Sequence, residues 1–170
     1  MSGQGSTQTV IDSLEFARTG QTLRGNLPLP ELSRLKDSLA DTLGTVEFEV
    51  TGGEDARGRP ILTVVISGAL RLQCQRCLGA LDHPLRLLNT LLLVMGAKAA
   101  DGLDDEEVEW IEASRQLDLA ALVEDEILLS LPYAPRHEDG TCGPLRTAVT
   151  DGAGGSAFAG LSALRRNKHH

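Results

Sequence analysis

Alternation of apolar and polar residues restricts the fold of this chain more tightly than any other pattern in it. Val46, Phe48 and Val50 alternate with polar residues, which is the period of a half-buried strand. Two longer strands are predicted at 61–72 and 84–94. The apolar positions of the first of these two share one face, and they are Leu62, Val64, Ile66, Leu70 and Leu72. The sequence therefore predicts an antiparallel β-meander with one buried face.

Two amphipathic helices are predicted to cover that face. In the first, Pro30 suits the first turn, leucines follow at 32, 35, 39 and 43, and Gly44 ends the pattern. The second runs from Leu119 to Leu131, with Asp118 as its N-cap. Short strands are predicted at 23–28 and 108–111. The expected class is α+β, a meander packed against two helices, with a Cys-x-x-Cys loop between two long strands.

Composition divides the chain into four expected parts. Residues 1–14 are predicted to be a disordered N-terminus, residues 15–142 a single α+β domain, and residues 143–157 a flexible linker rich in Gly, Ala and Thr. Residues 158–168 are predicted to be a short basic amphipathic tail helix. Phe158, Leu161 and Leu164 form its apolar side, and Arg165, Arg166 and Lys168 form its basic end. Such helices usually dock on a partner or on their own domain.

The expected location is the cytoplasm, away from any membrane. The first ten residues are polar and carry no apolar signal core, and no apolar run is long enough for a membrane span. The chain has three cysteines, an odd count that suits a reducing compartment rather than a framework of disulfides.

The cysteines suggest a metal site. Cys74 and Cys77 stand two residues apart around Arg76, whose charge favours thiolates, and Cys142 follows His137 downstream. These four side chains are the ligands of a Cys3His zinc site, which would be structural. Two alternatives remain open, namely free half-buried thiols and a redox switch through the first pair. His83 is the reserve ligand if His137 fails.

The charge of the chain is concentrated in one segment. The net charge is −8, and residues 101–126 contain eleven acidic residues against one basic residue. An acidic surface attracts basic partners, although a solvated loop that only aids solubility has the same composition. Glu126 falls on the apolar side of the second helix and is predicted to be structural. It either caps or snorkels, or it pairs with an arginine such as Arg71 or Arg76.

Several of these segments together resemble a known family. They are the Leu72–Cys77 loop, the helix from Asp118 to Pro132, the pair His137 and Cys142, and the tail from Phe158 to Lys168. This combination is similar to the YceD family of large-ribosomal-RNA accumulation proteins, and the resemblance covers roughly residues 15–168. The sequence departs from many relatives, in which a longer cysteine-rich stretch follows the helix.

The resemblance implies a factor that supports accumulation of 23S ribosomal RNA and assembly of the large subunit. Its expected partner is a large-subunit precursor, the RNA itself or a basic ribosomal protein, and RNA contact would come from Arg76 and the basic tail. No small-molecule substrate is expected. The chain also lacks a Gly-rich phosphate loop, a His-Glu-x-x-His motif and a nucleophile elbow, so it is not expected to be an enzyme. The alternative hypothesis is a zinc- or redox-dependent protein-interaction module unrelated to ribosomes.

Overall fold

The computed structural model describes residues 10–96, 108–138 and 140–142, which form seven strands and two α-helices. In chain order they are β1 (Val10–Ile11), α1 (Ser13–Arg18), β2 (Thr22–Pro28), β3 (Thr45–Glu54), β4 (Pro60–Gln73), β5 (Ala80–Val94), β6 (Trp110–Glu112), β7 (Leu117–Asp118) and α2 (Leu119–Ser130). Two short 3-10 turns lie between β2 and β3, at Leu29–Glu31 and Lys36–Ser38.

The central element is a five-stranded sheet in the order β2-β3-β4-β5-β6. Neighbouring strands from β2 to β5 are antiparallel, and β6 joins the far edge of β5 in parallel. The predicted meander is therefore confirmed as β3, β4 and β5, and the two short predicted strands are present as β2 and β6. A separate antiparallel pair, β1 and β7, connects the starts of the two helices.

The core lies on one face of this sheet. The predicted apolar residues of β4 are at most 1% exposed, and they are Leu62, Val64, Ile66, Leu70 and Leu72. Phe16 of α1 and Ile127 of α2 belong to the same buried cluster, so both helices cover the same face. Asp118 caps α2, as predicted, by accepting hydrogen bonds from the amides of Ala120 and Ala121. The predicted α+β class is confirmed.

The helix predicted from Pro30 is wrong. Residues 29–44 form the two 3-10 turns and otherwise irregular backbone, although Leu32, Leu35 and Leu39 are buried as an amphipathic helix would bury them. The physical reason is that tertiary partners take the backbone donors of this segment. The amides of Arg34 and Leu35 donate to the carboxylate of Glu124, and the amide of Ala40 donates to the carbonyl of Arg71. A helix would need those donors internally.

The other helix that covers the sheet is α1, which lies in a stretch for which the sequence predicted no helix. The predicted boundary at residue 15 lies inside α1, and the residues before it include β1 and the N-cap Asp12. Ser13 is buried, and its hydroxyl donates to the carbonyl of Ser114 over 3.0 Å. This bond connects α1 to the segment just before β7.

Close packing of α1 on β3 leaves no room for a side chain at Gly52. A Cβ atom at this position would lie 2.2 Å from the carbonyl oxygen of Phe16 and 2.7 Å from the Cα of Ala17. We expect Gly52→Ala to lower the free energy of unfolding by about 1–3 kcal/mol, since backbone atoms must move to accept it. Urea unfolding followed by circular dichroism measures the change.

Gly53 is the matched control for that substitution. A Cβ atom there would meet only the side chain of Ile61, at 4.0 Å, so Gly53→Ala is expected to leave the stability within about 0.5 kcal/mol. Equal losses at the two glycines would contradict the assigned contact between α1 and β3.

Several predicted segments lie outside the described residues, namely residues 1–9 of the predicted disordered N-terminus, the part of the acidic run at 101–107, the predicted linker 143–157 and the tail helix 158–168. Neither α1 nor α2, the helices of the described part of the chain, is long and apolar enough to cross a membrane.

Candidate metal centre

The loop between β4 and β5 holds two of the four predicted ligands. Residues 74–79 close the hairpin, whose last strand pair joins Gln73 to Ala80. The amide of Leu78 donates to the carbonyl of Cys74, and the amide of Cys74 donates to the carbonyl of Gly79, both over 2.9 Å. The prediction that the Cys-x-x-Cys pair lies between two long strands is correct. The tight turn directs both sulfur atoms to the same side of the loop.

A second loop, after α2, brings the other two ligands to the first. The amide of Gln75 donates to the carbonyl of Pro135 over 2.8 Å, which joins the two loops. His137 Nε2 lies 2.9 Å from the carbonyl oxygen of Ala80. Because a carbonyl only accepts, Nε2 carries the proton in this bond and Nδ1 is left as a lone-pair donor toward the cysteines.

The four predicted ligand atoms converge, and all lie within 4.8 Å of one another. The two sulfur atoms of Cys74 and Cys142 are 3.8 Å apart. His137 Nδ1 lies 3.4 Å from the sulfur of Cys77 and 3.7 Å from that of Cys142. Cys74 and Cys77 are buried, whereas Cys142 and His137 are partly exposed. Among the described residues this cluster does not include His83, which lies on β5 opposite Leu70.

The environment of Cys74 favours its thiolate. Burial alone would raise the pKa of this thiol, but the backbone amides of Cys77, His137 and Arg76 donate to its sulfur and lower the pKa to about 5. For Cys142, burial again opposes ionisation, and the Arg76 guanidinium and the His137 imidazole outweigh it, so that the pKa is lowered. Arg76 Nε lies 3.0 Å from that sulfur.

Crowding of the sulfur atoms has the opposite effect on Cys77. The amide of Gly79 donates to it and would lower its pKa, but burial and the neighbouring sulfurs of Cys74 and Cys142 outweigh that bond and raise the pKa. The pKa of His137 is raised by its bond with Cys142 and by the carbonyl of Ala80. Three thiolates this close repel one another unless a cation lies between them.

Of the predicted contact residues, Arg76 is described, and it donates to Cys142 in the cluster. The predicted tail contacts lie outside the described residues: Phe158, Leu161, Leu164, Arg165, Arg166 and Lys168.

Glu126 is 7% exposed and lies under the sheet. Its carboxylate accepts a hydrogen bond of 2.7 Å from the side-chain amide of Asn89 on β5, which also donates to Glu109. Arg71, one of the arginines considered for it, pairs instead with Asp41 at 2.5 Å. A neutral amide therefore satisfies the hydrogen-bonding need of this carboxylate. Asn89 is a polar residue among apolar positions of β5, and this was the sequence signal that a buried polar partner exists.

A second buried carboxylate was missed by the sequence analysis. Glu124 is 6% exposed, accepts from the amides of Arg34 and Leu35, and pairs with Arg34 Nε at 2.9 Å. Arg34 also reaches Asp125 and the carbonyl of Ala121. This arrangement, which we call the Arg34–Glu124 clamp, holds the segment before β3 against α2. No local sequence pattern connects positions ninety residues apart.

Comparison with known proteins shows which family this chain resembles. A family model described as "Large ribosomal RNA subunit accumulation protein YceD" matches residues 62–162. The curated protein of the same name from Haemophilus influenzae (strain ATCC 51907 / DSM 11121 / KW20 / Rd) is 26% identical over 134 residues, which cover 78% of this chain and 76% of the relative. No solved structure matches the chain with significance.

Proposed function

Since this chain belongs to the YceD family of large ribosomal RNA subunit accumulation proteins, we propose that it supports the accumulation of large-subunit ribosomal RNA. The observation that carries the proposal is the family match over residues 62–162, more than half of the chain. That range contains most of β4, all of β5 and α2, and all four residues of the cysteine–histidine cluster. The protein is proposed to act as a non-catalytic factor in assembly of the large subunit.

The cluster is proposed to hold one structural zinc ion. Tetrahedral zinc with Zn–S bonds of about 2.3 Å and Zn–N bonds of about 2.0 Å places sulfurs roughly 3.8 Å apart and sulfur and nitrogen roughly 3.6 Å apart. Three of the six separations fit that geometry, namely 3.8 Å between two sulfurs and 3.4 and 3.7 Å between sulfur and nitrogen, and all four atoms lie within 4.8 Å of one another. The bond from His137 to Ala80 is the orienting contact that metal-bound histidines typically make.

Four protein ligands leave zinc no open position for substrate. Catalytic zinc typically has three protein ligands and a water, whereas closed sets of four are structural. The ion would join the β4–β5 loop to the loop after α2, and its positive charge would offset the repulsion among the sulfurs. This supports a scaffold that presents a surface to a partner rather than an enzyme.

The proposed partner is a precursor of the large subunit, through its RNA or through a basic ribosomal protein. Arg76 and the basic tail at Arg165, Arg166 and Lys168 are the proposed RNA contacts, with Phe158, Leu161 and Leu164 as the apolar side of the tail. The acidic residues of the segment 101–126, apart from the buried Glu124 and Glu126, are proposed to hold a basic protein, since carboxylates attract basic side chains and repel the phosphate backbone.

Depletion of the protein in cells tests the proposed function. We expect the ratio of large- to small-subunit ribosomal RNA to fall, together with the free large-subunit peak in a sucrose gradient, and re-expression of the full chain to restore both. A general growth defect would lower both ribosomal RNAs in equal proportion and would leave their ratio unchanged. An unchanged ratio after complete depletion would overturn the proposal and favour the interaction module unrelated to ribosomes.

A further inference from the structure

We propose that Tyr133 and Arg136, on the loop beside the cysteine–histidine cluster, form a platform that binds an unpaired segment of RNA. This inference deepens the proposed function and rests on it. It assigns the RNA contact to side chains that the sequence analysis did not select, and we call this pair the Tyr133 platform.

Tyr133 contributes nothing to the core. Its relative exposure is 105%, so its ring is as open to solvent as in an extended peptide. It is the single tyrosine of a chain in which aromatic residues make up 3% of the sequence. A nucleobase can stack on a tyrosine face whatever its sequence, and unpaired RNA is recognised mainly in this way.

The backbone that carries Tyr133 is anchored on both sides. On one side, the amide of Leu131 donates to the carbonyl of Leu128 at the end of α2. On the other side, Pro135 accepts from Gln75 over 2.8 Å, and His137 bonds to Ala80 over 2.9 Å. Because the backbone of this loop is anchored, little backbone entropy is lost when a base stacks on the ring.

A basic residue follows the ring three positions further along the same loop. Arg136 is exposed, and no described residue forms an ion pair with it. Arg76, from the facing loop, donates to Cys142 and adds a second guanidinium to this end of the molecule. Guanidinium groups bind the phosphates that flank a stacked base. Glu138 on the same loop is also exposed, so the local charge is mixed, and stacking of a base on the Tyr133 ring is what favours unpaired RNA as the occupant.

Leu78 lies on the β4–β5 loop, which is joined to the loop after α2 by the bond from Gln75 to Pro135. The backbone φ of Leu78 is +59°, in the left-handed region that L side chains rarely adopt, and its side chain is 61% exposed. Strained backbone of this kind concentrates at functional sites. We propose that this exposed apolar side chain adds a contact to a base or a ribose bound at Tyr133.

The experiment measures binding of the purified full-length chain to unpaired oligo(rA) and oligo(rU) of about 12 nucleotides by fluorescence anisotropy. We expect Tyr133→Ala to weaken binding by about 5- to 150-fold and Tyr133→Phe to retain it, because the ring alone stacks. Arg136→Ala is expected to weaken binding and to reduce the slope of log affinity against log salt by about 0.7.

Two matched controls lie elsewhere on the surface. Trp110 is an aromatic residue of β6 that is 43% exposed, and Arg86 is an exposed arginine of β5. Trp110→Ala and Arg86→Ala are expected to bind the oligonucleotides like the unsubstituted chain. Thermal melting of each variant checks that all chains are folded.

The outcomes separate the platform from the function on which it rests. Unchanged affinity for Tyr133→Ala, or no affinity of the unsubstituted chain for unpaired RNA, overturns the platform and leaves the proposed function standing. Full restoration of the RNA ratio by Tyr133→Ala in depleted cells overturns it too. An unchanged ratio on depletion overturns the proposed function, whereas an affinity that depends on Tyr133 would still support the RNA site.

Discussion

Replacement of His137 with alanine is expected to abolish binding of the proposed zinc ion and to loosen the two loops that the ion would join. In the proposed site the imidazole would supply the nitrogen ligand, and Nδ1 lies within 3.7 Å of two of the cysteine sulfurs. Metal content should fall from about one zinc per chain to well below that value, as measured by mass spectrometry of metals after dialysis. An ion present at a thousand times its Kd contributes about 4 kcal/mol of stability, so Tm should also fall markedly.

His83→Ala is the control, since that histidine lies on β5 and outside the described cluster. The His83→Ala variant should bind as much zinc as the unsubstituted chain. A chelator concentration that leaves the unsubstituted chain loaded should also leave the Tm of this variant unchanged. Equal zinc content in the two variants would contradict the assigned ligand set. Zinc-free protein that melts at the same temperature as loaded protein would show that the ion does not stabilise the fold.

Replacement of Glu124 with alanine is expected to lower the free energy of unfolding by about 2–4 kcal/mol. The buried carboxylate accepts from two backbone amides and from the Arg34 guanidinium, so its removal leaves the amides of Arg34 and Leu35 without their acceptor. We place the effect below that of a fully buried ion pair because the Arg34 side chain is 47% exposed and reaches water. Urea unfolding of zinc-loaded protein measures it.

Asp125→Ala provides the matched control one residue away. Asp125 pairs with the same arginine, but its side chain is 52% exposed, and such pairs contribute less than about 1 kcal/mol. A loss at Asp125 as large as that at Glu124 would show that the ion pair, rather than the capture of backbone amides, stabilises the segment before β3.

The long strands and α2 could be predicted from local patterns. The alternation in β3 and β4 allows one register, because a shift of one residue would turn the apolar face of a strand to water. The N-cap residue Asp118 marks the start of α2 in the same local way. The leucines at 32, 35 and 39 misled because burial at helical spacing does not require a helix. Glu124, far along the chain, takes the amides that a helix would have used.

For the candidate site too, the sequence predicted the residues and the fold decided their contacts. Residue types and the Cys-x-x-Cys spacing were enough to select Cys74, Cys77, His137 and Cys142, because few side chains can bind zinc and this chain has few of them. Their meeting depends on hydrogen bonds between residues about sixty positions apart, such as Gln75 to Pro135. Local sequence thus determined which groups are available and where strands and α2 form. Only the tertiary structure decided which groups meet, because contacts between distant segments form only when the core brings those segments together.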